Sequence, residues 1–189
     1  FTNEALTAII VNKKVTDNIK TKILVFCDVK NCSVLDDVFV YRHIGLLDNS
    51  NNSNFIYVVS LLNKNETRFN SVFSCIKSYN RYKKFDNVIF LESYKNIKSI
   101  VLSYFWFKRI IQTKEDFQKA GFESLYPKFY SEYNLCDRPK HLSTLRSVTH
   151  LTVSLQFTKA LVPIFELIYY RTIVSSLRKK GIFVYGLQD

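Results

Sequence analysis

Glycine and proline are scarce in this chain, at four and three residues of 189, and methionine is absent. Four glycines nearly exclude a phosphate-cradling loop, which needs several in one turn so that backbone N–H groups can close on the phosphates. Metal-ligand spacing is missing as well. Cys27, Cys32, Cys75 and Cys136 form no Cys-x-x-Cys pair, and His43, His141 and His150 complete no zinc set. The cysteines therefore read as reduced, small apolar residues, and no metal or cofactor is expected. Long apolar runs are lacking too. The longest, 100–111 and 160–170, fall far short of the ~20 residues that span a bilayer. The first residues show no basic segment followed by an apolar stretch, so no secretory signal is expected there.

Acidic residues are the other deficit: 16 against 27 Lys and Arg, for a formal net charge of +11. With 47% hydrophobic and 23% charged residues the chain is globular in class. A basic globular chain calls for a polyanionic partner, nucleic acid first and an acidic membrane surface second. Gly, Ala, Arg and Pro together number 19, whereas Phe, Tyr, Ile, Asn and Lys number 78. That skew follows AT-rich codons rather than any need of a fold, and suggests an organellar, parasite or viral coding sequence.

Strand-like runs occupy 7–14, 22–29, 38–47 and 55–62, with an Asn/Ser loop at 48–54. Residues 68–85 place Phe69, Phe73, Ile76, Tyr79 and Tyr82 at helical spacing. Further on, 87–93 reads as a strand, 98–111 as a buried helix and 112–140 as irregular. A strand with a break near Pro163 is expected over 151–168, and a helix over 172–180 closed by Gly181. Residues 182–188 read as a final strand. The order strand, helix, strand, strand, helix, strand predicts an α+β fold of the ferredoxin-like split β-α-β-β-α-β plan for 86–189. Residues 1–85 are then a separate N-terminal extension of mixed strands and helix.

Charge is concentrated in one segment. Residues 86–137 sum to zero, whereas 138–180 carry eight cations against Glu166 alone. Within that segment HLSTLRSVTH (141–150) forms a small polar island between apolar stretches. Arg138, Lys140 and Arg146 can neutralise phosphates, and Ser143, Thr144 and Ser147 can bond phosphate or ribose hydroxyls. His141 and His150 can stack on a base or donate to a phosphate, and Lys159, Arg178 and Lys179 add positive charge.

These residues resemble ribosomal small-subunit protein ten, the NusE family. FLESYKNIKSIVLSYFWF (90–107) has the form of that family's first strand and helix. Thr144, Leu145, Arg146 and Ser147 are similar to its threonine-val-leu-arg-ser core, His150 to its histidine, and Gln156–Phe157 to its gln-phe pair. TIVSSLRKKGIFVYGLQ (172–188) matches the closing helix and strand. Val148 stands where the family has proline. The resemblance implies a structural, non-enzymatic constituent of the small ribosomal subunit, with an extended middle hairpin whose tip is the polar island. That loop would order on small-subunit rRNA and neighbouring ribosomal proteins in the head, with no membrane span and no small-molecule substrate. The codon skew points to a mitochondrial ribosome, with another AT-rich organelle or the cytoplasm as alternatives. The alternatives in function are an accessory structural subunit of an organellar membrane complex and a nucleic-acid-processing enzyme. For the latter, no carboxylate pair is set at strand ends.

Overall fold

Five of the short apolar runs become neighbours in one parallel sheet. The computed structural model describes residues 2–11, 22–44, 54–61, 70–106, 114–119, 121, 123–125, 138–163 and 168–187. In chain order these hold helix α1 (Thr2–Ile10), strand β1 (Ile23–Asp28), strands β2 (Cys32–Leu35) and β3 (Val38–Tyr41), and β4 (Phe55–Ser60). Then come α2 (Asn70–Tyr82), β5 (Val88–Phe90), α3 (Ile97–Trp106), α4 (Lys114–Lys119) and α5 (Arg138–Leu155). The chain continues through β6 (Lys159–Pro163), α6 (Ile168–Arg178) and β7 (Phe183–Leu187). The sheet runs β5–β4–β1–β6–β7, and every neighbouring pair is parallel. Ile23 at the start of the central strand lies opposite both Phe55 and Lys159. The sequences ILVFCD and FIYVVS show why: strands covered on both faces carry continuous rather than alternating hydrophobicity.

Each face has its own core. On the first, Leu24, Phe26, Ile56, Val58, Ile89, Ala160 and Val162 meet Val148, Leu151 and Leu155 of α5 and Ile173 and Leu177 of α6. On the second, Val25, Cys27, Tyr57, Val59, Val88 and Phe90 meet Cys75 and Tyr82 of α2 together with Phe39 and Tyr41. The last two come from the β2–β3 hairpin, which covers the sheet between β1 and β4 where a crossover helix is usual. Its turn, Asp36–Asp37, has both residues at positive φ (46° and 59°), as a two-residue hairpin of primed type requires. Tyr82 Oη pins the hairpin by donating to the Cys32 carbonyl at 2.8 Å.

The architecture is mixed α/β with a parallel sheet, and it departs from the ferredoxin-like plan in three respects. No antiparallel middle hairpin occurs among the described residues of 86–189; β6 and β7 are parallel to each other and β6 to β1. The boundary expected at 85/86 does not separate two sheets, because β4 pairs with β5 and β1 with β6 across it. The polar island is the middle of an 18-residue helix, not a loop. Leu142, Leu145, Val148, Leu151 and Leu155 recur every three or four residues and supply its apolar stripe. Two of the hydroxyls between them bond carbonyls of their own helix: Ser147 Oγ to Ser143 at 2.8 Å and Thr149 Oγ1 to Leu145 at 2.9 Å.

At the edges of elements the outcome is mixed. Residues 7–10 are helical rather than a strand, and 12–14 lie outside the described residues. Most of the 48–54 loop and the centre of 112–140 also lie outside them. Gly181 does close α6 in the left-handed region (φ +74°). The Gly181 N–H bonds Arg178 O at 3.0 Å and the Ile182 N–H bonds Leu177 O at 3.2 Å, the paired bonds of a Schellman end. Gln156, expected to open a strand, instead ends α5 at φ 45°.

Candidate functional site at the carboxyl end of the sheet

From β1 the chain builds outward to β4 and β5, then crosses back and builds outward the other way through β6 and β7. The β1/β6 border is therefore the point where the strand order reverses. After β1 the chain leaves toward the second-face core; after β6 it leaves toward the first. The β2–β3 hairpin and α6 lie on opposite faces of the sheet there, and in open parallel sheets ligands bind beyond the carboxyl ends at such a reversal.

Three side chains from different elements converge on that point. Asp28 ends β1 half-buried, and its Oδ1 accepts the Lys30 N–H at 3.1 Å, holding the short turn Val29–Asn31. Tyr41 arrives from the hairpin on the second face and Tyr170 from the first turn of α6 on the first face. They are 1% and 8% exposed. Burial raises both phenol pKa values far above the usual, reinforced in each case by the neighbouring Cys27, Cys32 and Asp28. Tyr41 is raised further by Tyr170 itself, which places the two phenols within electrostatic reach of one another. Both therefore remain protonated donors throughout the physiological range.

The Tyr41 hydroxyl is buried and finds no hydrogen-bond partner among the described residues. Cys27 lies below it. Burial first, then the Cys32 side chain and its charge and that of Asp28, push the Cys27 thiol well up. It donates to the Val25 carbonyl at 3.4 Å, while the Cys32 thiol donates to the Asp28 carbonyl at 3.3 Å. A buried thiol held protonated is a poor nucleophile. Further along the rim Glu92 is fully buried. Its Oε2 accepts the Leu61 N–H at 3.2 Å and its Oε1 the Ser60 hydroxyl at 3.4 Å, which locks the ends of β4 and β5 together. No group of three or more His, Cys, Asp or Glu among the described residues could hold a metal ion. This end of the sheet holds the Asp28 carboxylate, the Tyr41 and Tyr170 phenols and the N-terminal turn of α6.

The residues expected to touch RNA are distributed otherwise. Arg138, Lys140 and His141 stand in the first turn of α5, and their side chains lie outside the described residues. Ser143, Thr144 and Ser147 are buried, so they cannot reach a phosphate. Arg146 is spent inside the fold: its Nη1 donates to the Ser99 carbonyl at 2.7 Å and to Ser103 Oγ at 3.2 Å, bracing α5 against α3. His150 is exposed, with Nδ1 3.3 Å from the Tyr94 carbonyl. Lys159, Arg178 and Lys179 are exposed, and the last two line a shallow hollow on α6 with Arg171, Val174 and Ser175. Asp28, Tyr41 and Tyr170 were missed because 1–85 was set apart from the rest. The alternation of apolar runs with helical stretches along the whole chain was the signal for one parallel sheet. No family model, no curated protein and no solved structure matches this chain.

Proposed function

We propose that this chain is a ligand-binding α/β domain whose site is the carboxyl end of the sheet at the β1/β6 border, taking a small molecule rich in hydroxyl groups. The observation that carries this is the buried Tyr41 hydroxyl, without a partner among the described residues, near the point of strand-order reversal. Leaving such a donor unsatisfied costs about 1–3 kcal/mol, a cost that is removed when a ligand supplies the acceptor. Asp28 then accepts from a ligand hydroxyl, and Tyr170 faces the same space. The turn after β1 reads Asp28-Val29-Lys30-Asn31-Cys32. With no glycine there, the close backbone approach that a dinucleotide pyrophosphate needs is not supplied. The expectation that no small molecule is bound is set aside in this reading.

A thermal-shift screen of hexoses, nucleosides and sugar phosphates on the full chain tests it. Hits should lose their shift in Asp28→Ala and weaken in Tyr41→Phe. An empty screen, or hits that persist in both variants, would overturn the assignment.

A second reading is binding of RNA, in its fullest form as a structural constituent of a mitochondrial small ribosomal subunit. It is favoured by the exposed cations Lys159, Arg178, Lys179 and Lys180, with no acidic residue among the described residues from 138 to 187. Its support shifts from the polar island to this surface. RNA affinity should then fall with a log–log salt slope of about −0.7 to −0.9 per phosphate neutralised, and substitutions of these cations should flatten it.

A further inference from the structure

We propose that the face of β6 and β7 turned away from α6 is a stacking platform for single-stranded nucleic acid. The inference rests on the second reading above and names its partner and its contact residues. Side chains alternate along β7, and Val184 packs into the core beneath α5 and α6. Phe183 and Tyr185 therefore share the opposite face, where they are 69% and 52% exposed. Two residues apart on one strand, they stand roughly 7 Å from each other. Scattered single apolar residues on a surface are ordinary, but two adjacent aromatic rings on an open sheet face are the arrangement on which successive unpaired bases stack.

Charge identifies the occupant. Lys159 lies directly opposite Phe183 in the register, so it shares this face, and it too is exposed. Leu161, half-buried, stands opposite Tyr185 and packs against the second-face core. Lys179 and Lys180 are exposed in the turn that leads into β7. Residues 138–187 carry eight cations against one acid, Glu166. An aromatic pair with a cation beside it and positive charge at its entry matches base faces joined by phosphates, since every base has a π-face and every linkage a charge. β7 is an edge strand among the described residues, so a linear chain can lie across it without meeting another of their strands.

The test uses the full chain and three probes at fixed low salt: a fluorescent oligouridylate, an RNA duplex and heparin. Phe183→Ala and Tyr185→Ala should each weaken oligouridylate binding about tenfold. Heparin affinity should not move, and Tyr185→Phe should retain binding. Lys159→Gln and Lys180→Gln should weaken the oligonucleotide and heparin alike. The duplex, whose bases are already stacked, should bind less tightly than the single strand. Both side chains are mostly exposed, so their loss leaves the core intact. If oligouridylate and heparin bind but neither aromatic variant changes the oligonucleotide affinity, the platform is wrong while the basic surface stands. If none of the three binds, both fail. If the aromatic variants instead convert a dimer to a monomer with oligonucleotide affinity unchanged, the face joins copies of this chain and the proposal is overturned.

Discussion

Tyr41 shows how one residue can set a site against stability. Its ring belongs to the second-face core and meets His43 edge-on at 5.0 Å, while its hydroxyl is buried without a partner among the described residues. Tyr41→Phe should therefore stabilise the unliganded chain by about 1 kcal/mol in urea denaturation, because it removes an unsatisfied donor and keeps the shape. The same substitution should weaken the ligand that the hydroxyl serves. Alkaline pH probes the site from the other side. The folded chain holds the Tyr41 and Tyr170 protons above the ordinary phenol value of 10.0, whereas the unfolded chain releases them near it. Above that pH the folded state binds more protons, so stability should be full below about pH 10 and fall as pH rises further. The fall should be shallower in Tyr41→Phe. Equal slopes in the two proteins would mean that the fold does not hold this phenol protonated.

At the scale of elements, α5 carries the main lesson. Its hydroxyls look like a binding motif in one dimension, yet in the helix Ser143, Thr144 and Ser147 are buried, and Ser147 and Thr149 bond carbonyls a turn back. Buried Ser and Thr satisfy themselves in this way at little cost, which lets a helix face be polar in sequence and dry in structure. Pro139 in the first turn suits a helix start, where its missing N–H loses nothing. The far end is less comfortable. Gln156 sits at φ 45°, a region that costs a side-chain-bearing residue about 1–2 kcal/mol and glycine almost nothing. Gln156→Gly should therefore raise stability by about 1 kcal/mol, read as a higher urea midpoint. A lower midpoint would show that the side chain repays the strain through contacts of its own.

Across the whole molecule, strands from both ends of the chain interleave in one sheet. β1 lies between β4 and β6, so removing residues 1–85 deletes the central strand β1 and its neighbour β4 and strips β6 and β5 of a neighbour on one side. A fragment of 86–189 should consequently fail to show a cooperative transition by circular dichroism, contrary to what the ribosomal resemblance implies; a sharp transition would mean that the C-terminal half has a core of its own. Much of this was legible beforehand. Continuous apolar runs at 22–29 and 55–62 and the amphipathic stretch at 68–85 became β1, β4 and α2, because local periodicity and burial fix element type. Gly181 ended α6 because only its backbone enters the left-handed region freely. Strand partners were not legible, since parallel pairing joins segments far apart through backbone bonds that carry no residue code. Nor was the site. Asp28, Tyr41 and Tyr170 come within electrostatic reach of one another only through the tertiary fold. The charge, the type of the strongly apolar or amphipathic elements and the want of a glycine-rich turn follow from the residues alone. Tertiary structure alone decided which polar residues face inward and which side chains converge, because burial depends on long-range pairing that no local pattern records.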